Sequence, residues 1–323
     1  MLILSLTDGH SGNRRQADAL AEALAGRLQA SWAHYTVKPR LPWSLWAPRW
    51  GWATQAGFDP GLIEQLDRLR PALAIGCGRQ AALATRIAKR RVGARTVQIL
   101  DPRIDSTDWD LCVQPRHDPQ RHSRTVRTLG SIHPVTPVWL EAQRQLLPAL
   151  GKLPAPRHLI LLGGPTRHCR YAQTEVQQWL LELRQSAAGS RWVIGSRRSP
   201  DWLRQMFCQL PADLQWWGDE DGGNPYPGAL AWADRISLSP DSVNMISEAA
   251  ATQAALRLLP VPRIDGRLAT FHQALRDSGR LTELADGQSP GAITPWSELN
   301  QVADEIVDRL FADGAAGKPP RTY

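Results

Sequence analysis

The chain is poor in cysteine, and its four thiols, Cys77, Cys112, Cys169 and Cys208, stand far apart with no CxxC pair. That scatter excludes a secreted disulfide framework and argues against a thiolate zinc site, so a reducing cytosol is the expected setting. Long hydrophobic runs are also lacking. Nothing approaches the roughly 20 apolar residues that cross a bilayer. The apolar residues 1–6 are cut off by Thr7-Asp8-Gly9 and have no basic leader, unlike a signal peptide. A soluble or peripheral protein follows, cytoplasmic and peripheral at most on the inner membrane. Clustered basic charge is missing too: the formal net charge is +7, yet the arginines are dispersed. No nucleic-acid-binding signature accompanies them, so no nucleic-acid partner is expected. A strict GxGxxG is absent after the first strand, which disfavours a nicotinamide enzyme.

What is present is an ordinary globular composition, 42% hydrophobic and 21% charged over 323 residues, long enough for two domains. Only residues 314–323 read as a disordered tail. Tryptophan is abundant, with 14 in the chain. Trp43, Trp46, Trp50 and Trp52 fall in one proline-interrupted segment flanked by Arg40 and Arg49. Two readings stand for it: an interfacial membrane contact, or a loop folded over the core with arginines stacked on rings.

Hydrophobic periodicity alternates strand and helix. In the first half, strands are predicted at 2–6, 30–37, 72–76, 96–100 and 111–114, and helices at 11–28, 62–69 and 79–90. Residues 148–156 read as a linker. The rhythm then restarts, with strands at 158–162, 192–194, 214–217, 235–238 and 256–260 and helices at 174–185, 200–207, 228–233 and 241–251. The expected fold is therefore α/β, two Rossmann-like doubly wound parallel-sheet domains facing a cleft, over residues 1–150 and 151–323. An amphipathic last helix at about 296–312, with Leu299, Val302, Ile306 and Leu310 on one face, is expected to pack back toward the first domain.

Several strand-to-helix loops carry chemistry. Thr7-Asp8-Gly9-His10-Ser11-Gly12-Asn13 holds two proton-moving groups, Asp8 and His10, among glycines that permit close approach. It reads as an acceptor-side or general-base loop, or as a polar turn in which Asp8 or Ser11 caps the helix. Gly76-Cys77-Gly78 opens another helix with the same permissiveness, and Cys77 has no neighbouring histidine to activate it. Gly163-Gly164-Pro165-Thr166-Arg167-His168 and Gly195-Ser196-Arg197-Arg198-Ser199 supply hydroxyls and cations suited to a phosphate. Asp219-Glu220-Asp221-Gly222-Gly223 lacks calcium-loop spacing and reads as a solvated acidic loop; no metal site is expected.

The most informative stretch runs from Asn224-Pro225-Tyr226 to Glu248. It reads as helix, buried strand and tight turn, then a new helix that Asp241 and Ser242 can cap, leaving N–H groups aimed at a phosphate. Asn244, Met245 and Ser247 lie along its start, and Glu248, about two turns on, suits a ribose.

Together, Thr7-Asp8-Gly9, Gly12-Asn13, Gln16, Gly163-Gly164-Pro165, Gly195 to Arg198, Asn224-Pro225-Tyr226, Ala231-Trp232-Ala233-Asp234 and Asp241 to Ala249 resemble the family of the plant "elongated mitochondria" fission factor. More distantly, the two-domain pattern is similar to GT-B glycosyltransferases and to non-hydrolysing UDP-GlcNAc 2-epimerases. The resemblance implies a nucleotide-sugar as substrate, with no other cofactor and a glycan or lipid-linked acceptor. The diphosphate would lie at Ser242 and its neighbours, the ribose at Glu248, and the acceptor by Asp8 and His10. As an alternative it implies an adaptor role of the fission-factor type, or nucleotide-sugar epimerisation. Where the family shows Lys-Pro-Val before its next strand, this chain has Gln253-Ala254-Ala255-Leu256, a departure at the rim of the donor pocket.

Overall fold

The computed structural model describes residues 1–38, 40–41, 45, 47–49, 60–104, 108–118, 123–186, 189–281 and 293–312. Trp43, Trp46, Trp50 and Trp52, read above as a membrane contact, lie outside the described residues, as does the tail. The chain divides into one unit of Met1–Pro134 with Glu298–Tyr323 and a second of Val135–Ser297.

In the first unit, β1 (Leu2–Thr7), β2 (Ser31–Thr36), β3 (Leu73–Cys77), β4 (Arg95–Ile99), β5 (Leu111–Pro115) and β6 (Thr125–Thr128) form a wholly parallel sheet. Its order is β2-β1-β3-β4-β5-β6. Alternation along strands that are apolar on both sides sends Ile3, Ile75, Val97 and Val113 to one face, and Leu4, Leu6 and Ala74 to the other. The first face is covered by the helix Ser11–Leu28 and the C-terminal helix Leu299–Phe311, the second by the helices Pro60–Leu69 and Arg79–Val92. Apolar residues at helical spacing, Leu299, Val302 and Ile306, carry the C-terminal helix onto this core. At its start the Glu298 carboxylate accepts the N–H of Leu129 at 2.8 Å, and alongside it Arg27 meets Asp304 at 2.5 Å.

In the second unit, β7 (Arg157–Leu162), β9 (Ser190–Gly195), β10 (Leu214–Trp216), β11 (Arg235–Leu238) and β12 (Ala255–Leu258) form a parallel sheet ordered β10-β9-β7-β11-β12. β8 (Cys169–Arg170) and β13 (Arg263–Ile264) pair separately and antiparallel. The units part at Pro134/Val135, ahead of the break at 150 read from sequence. Residues 148–156 begin with a helical turn, Pro148–Gly151, rather than a linker throughout. Together with the helix Pro137–Leu146, this turn packs on the helix Tyr226–Trp232. Arg144 Nε donates to the Ala231 carbonyl at 2.9 Å, Trp232 Nε1 donates to the Leu147 carbonyl at 3.0 Å, and any Cβ on Gly151 would meet the Trp232 ring at 2.6 Å. These contacts join residues some 80 positions apart, so local composition carries no trace of them.

Three buried imidazoles give the fold a pH dependence. Burial foremost, with nearby arginines, pushes His133, His158 and His272 from about 6.5 down to about 4. In the unfolded chain these rings protonate near 6.5, whereas in the folded chain they resist it. Their contribution is therefore complete above pH 6.5 and is lost as pH falls toward 4. Calorimetric scans should show Tm falling through that window, and His158→Gln should flatten the slope.

Candidate functional site

Both sheets change direction at their first strand: β1 lies between β2 and β3, and β7 lies between β9 and β11. Ligands of doubly wound sheets bind at the carboxyl ends of strands beside such a switch point.

In the second unit, the loops after β7, β9, β10 and β11 all leave the same edge of the sheet. These loops and the starts of the helices that follow them carry the residues singled out there as donor-binding, with Ser247 and Glu248 further along the helix Val243–Ala250. After β11, the Ser242 hydroxyl accepts the N–H of Met245 at 3.5 Å and caps the helix Val243–Ala250. The N–H groups of Val243 and Asn244, in the first turn, have no hydrogen-bond partner among the described residues. Asp241, expected to share the capping, turns inward instead. Its side chain is wholly buried, and its oxygens accept from Ser239 Oγ at 2.6 Å, the Gly164 N–H at 3.2 Å and Arg198 Nη2 at 2.9 Å. Burial raises the pKa of this carboxyl, and those three donors oppose the rise.

Gly163 and Gly164 are glycines because nothing larger fits. A Cβ on Gly163 would lie 2.2 Å from Asp241 Oδ2, and one on Gly164 would lie 2.1 Å from the Arg198 carbonyl oxygen. Their N–H groups are spent internally, on Ser239 Oγ at 2.7 Å and on Asp241. The pair therefore packs the loops tightly together. Ser199 Oγ closes the next loop, donating toward the carbonyls of Leu162 and Gly163 and accepting the Ser196 N–H at 2.9 Å. Arg197 is exposed, and Arg198 leans on Asp241.

Thr166 accepts the N–H groups of His168 and Cys169 in a tight turn, and the exposed Arg167 donates to the His168 ring at 2.8 Å. Asn224 Oδ1 accepts the N–H of Tyr226 at the start of its helix, and Tyr226 Oη donates to Glu248 at 2.6 Å. Glu248 is buried, with 5% exposure, and Ser247 more deeply still. Tyr226 is thus a contact of the glutamate proposed for a ribose, a pairing that sequence spacing alone does not reveal. Tyr171 stands nearby, packed on Trp179 at 4.8 Å, and burial and the Asp241 charge hold its phenol un-ionised. Nothing in its sequence context marks it. The acidic run folds as a single turn in which Asp221 accepts the Trp217 N–H at 2.7 Å and pairs with Arg204.

In the first unit, the loops after β1 and β3 meet. Gly9 and Gly78 have φ of +83° and +93°, which favour glycine. A Cβ on Gly78 would also strike Asn13 Nδ2 at 2.6 Å, whereas Gly76 is crowded by Gln98 and Thr85. Asn13 Nδ2 donates to Asp8 at 3.0 Å, and His10 Nδ1 lies 3.1 Å from the same carboxylate. His10 is largely exposed and Asp8 largely covered, so the pair presents an imidazole held from beneath. No side-chain cap hydrogen bond is made to the first turn of the helix that Ser11 opens and in which Gly12 follows; Asp8 Oδ1 instead accepts the N–H of His10, just before it, at 3.2 Å. Cys77 is fully buried; burial first, then Asp8, drives its thiol pKa far up, which makes it no nucleophile.

Two doubly wound parallel sheets with polar loops gathered on their carboxyl edges give a Rossmann-like α/β fold that is GT-B-like. Solved structures of similar fold include a putative UDP-N-acetylglucosamine 2-epimerase from Listeria monocytogenes (TM-score 0.54, 10% identity, covering 100% of this chain and 99% of that one). The UDP-GlcNAc 2-epimerase from Neisseria meningitidis bound to UDP-GlcNAc is similar too (TM-score 0.53, 12% identity, 97% and 100% covered). At such identity they speak for the fold alone. The chain belongs to the mitochondrial fission ELM1 family, whose model matches residues 11–310. The mitochondrial fission protein ELM1 of Arabidopsis thaliana is 27% identical over 283 residues, 76% of this chain, and the match spans 65% of the plant protein's length. An uncharacterized protein of Rickettsia prowazekii is 22% identical over 82% of this chain and 85% of its own length.

Proposed function

We propose that the chain is a GT-B-type glycosyltransferase that moves a sugar from a nucleotide-sugar donor to a glycan or lipid-linked acceptor at the inner face of the membrane. The observation that carries this reading is the convergence, at one sheet edge, of a Ser242-capped helix start, the Arg198 cation and the buried Glu248 with its partner Tyr226. The first-turn N–H groups and Arg198 would take the diphosphate and stabilise the charge that develops as it leaves. Glu248, oriented by Tyr226, would accept the ribose hydroxyls. In the first unit, His10 would receive the acceptor's hydroxyl proton while Asp8 stabilises the imidazolium. Among the described residues no helix is long and apolar enough to cross a membrane.

Thermal-shift titration tests this. UDP-GlcNAc or UDP should raise the Tm saturably, and Glu248→Ala and Ser242→Ala should each weaken binding about tenfold, the effect of losing one good hydrogen bond to a charged group. Unchanged binding in both variants would remove the site assignment.

A second reading comes from the family itself, whose plant member is named for mitochondrial fission: an adaptor that keeps the fold without chemistry. In that case nucleotide-sugars produce no shift at all. The epimerase fold-mates add a third outcome, product formed from donor alone without acceptor.

A further inference from the structure

Beneath the rim of the second unit lies a buried anion that a diphosphate site has no electrostatic reason to contain. The Asp241 side chain has no exposed surface, while that of its partner Arg198 is 51% exposed. A negative charge close under an anion-binding edge weakens the ligand by Coulomb repulsion, and burying it is costly besides. Yet the surroundings are built to keep it. Ser239 Oγ, the Gly164 N–H and Arg198 Nη2 all donate to it, and Gly163 and Gly164 leave the space it occupies. Tyr171 and Cys169 close it in from the β8 side, and burial keeps both of them un-ionised.

We infer that Asp241 is a positioning residue: it makes no contact with ligand but holds Arg198 by one amino group, so that the other guanidinium donors face outward as the cation that receives the diphosphate. The inference rests on the nucleotide-sugar reading of this unit. It also narrows the choice among the cations that the sequence offered, Arg167, Arg197 and Arg198. Arg167 is turned onto His168, and Arg197 is exposed with no anchor among the described residues. Only Arg198 is fixed by a buried partner, and an anchored guanidinium loses less freedom on binding than a loose one.

The sign of one substitution decides the matter. If Asp241 acted on the ligand only through its charge, Asp241→Asn would tighten UDP binding; if it positions Arg198, the same change loosens it. Asn can place its amide nitrogen toward Ser239 Oγ, whose hydroxyl can then accept, while its oxygen meets the Gly164 N–H and Arg198 without the charge that anchors the guanidinium. Calorimetric titration of the full chain with UDP and with uridine is the experiment. Asp241→Asn and Arg198→Ala are each expected to weaken UDP about tenfold and leave uridine within about twofold, with the double variant no worse than either single one. UDP binding that is unchanged or tighter in Asp241→Asn, or UDP and uridine falling together, overturns the inference. If Asp241→Asn fails to fold, the half-exposed Arg198→Ala carries the same selective loss, and its absence overturns the inference equally. A wild-type chain that binds neither ligand overturns instead the nucleotide-sugar reading on which the inference stands.

Discussion

Replacing Arg280 with Met is expected to destabilise the Val135–Ser297 unit by about 3 kcal/mol and to lower its Tm by roughly 10 °C. Arg280 is 4% exposed, and its guanidinium serves four backbone carbonyls at once. Nε donates to Ala250 at 2.7 Å, and Nη2 lies against Ala249 at 3.2 Å and against Thr252 and Ala254 at 2.9 Å. These are the carbonyls that end the helix Val243–Ala250 and start the turn behind it. Helix C-termini leave such groups unpaired and carry partial negative charge, so a cation is the natural cap. Burial lowers the Arg280 pKa only to about 10, so the cap stays charged at neutral pH. Methionine matches the bulk but cannot donate, leaving several buried carbonyls unsatisfied at about 1–3 kcal/mol each. Relief from burying a cation returns part of that loss. Arg280→Lys keeps the charge but not the fork and should fall between the two. Differential scanning calorimetry reads the result, and a shift under 2 °C would show that the carbonyls find water instead.

The second large effect is expected from Gly164→Ala. Alanine is ordinarily harmless, but here its Cβ would stand 2.1 Å from the Arg198 carbonyl oxygen and 2.9 Å from the carbonyl carbon, so backbone must move. The loop it would push is pinned by Ser199 to the carbonyls of Leu162 and Gly163. An overpacked position with no flexible neighbour costs about 3 kcal/mol. On the nucleotide-sugar reading proposed above, and because the displaced residue is Arg198, UDP affinity should fall more than tenfold at temperatures where the variant is still folded. Chemical denaturation and a parallel UDP titration separate the two effects. Stability lost with UDP affinity kept would mean that the Arg198 backbone moves without its guanidinium.

How much of this was legible beforehand differs by residue. The alternating rhythm placed the strands that contain Gly76 and Gly195 and the strand that Gly163 follows, because a parallel sheet covered on both faces leaves apolar runs ended by glycine. Ser242 at the start of its helix was equally readable, since capping is local chemistry. The role of Asp241 was not. Spacing makes it look like a second cap, and only three loops folded over one edge show its oxygens drawn inward to Ser239, Gly164 and Arg198. The same holds for Tyr226 and Glu248, whose hydrogen bond spans 22 positions. It holds as well for the division at Pro134/Val135, which depends on the packing of the helix Pro137–Leu146 against Tyr226–Trp232.

By itself, then, the sequence determined the period of each segment, the glycine-ended strands, the helix start at Ser242 and the absence of a cysteine framework, because each depends on near neighbours along the chain. Tertiary structure alone decided which of three arginines is anchored, where the two N–H groups of Gly163 and Gly164 are spent and what neutralises the far end of the Ser242 helix. Those outcomes depend on contacts between loops and helices distant in sequence, where burial turns an ordinary Asp, Tyr or Arg into a group that must find its partner.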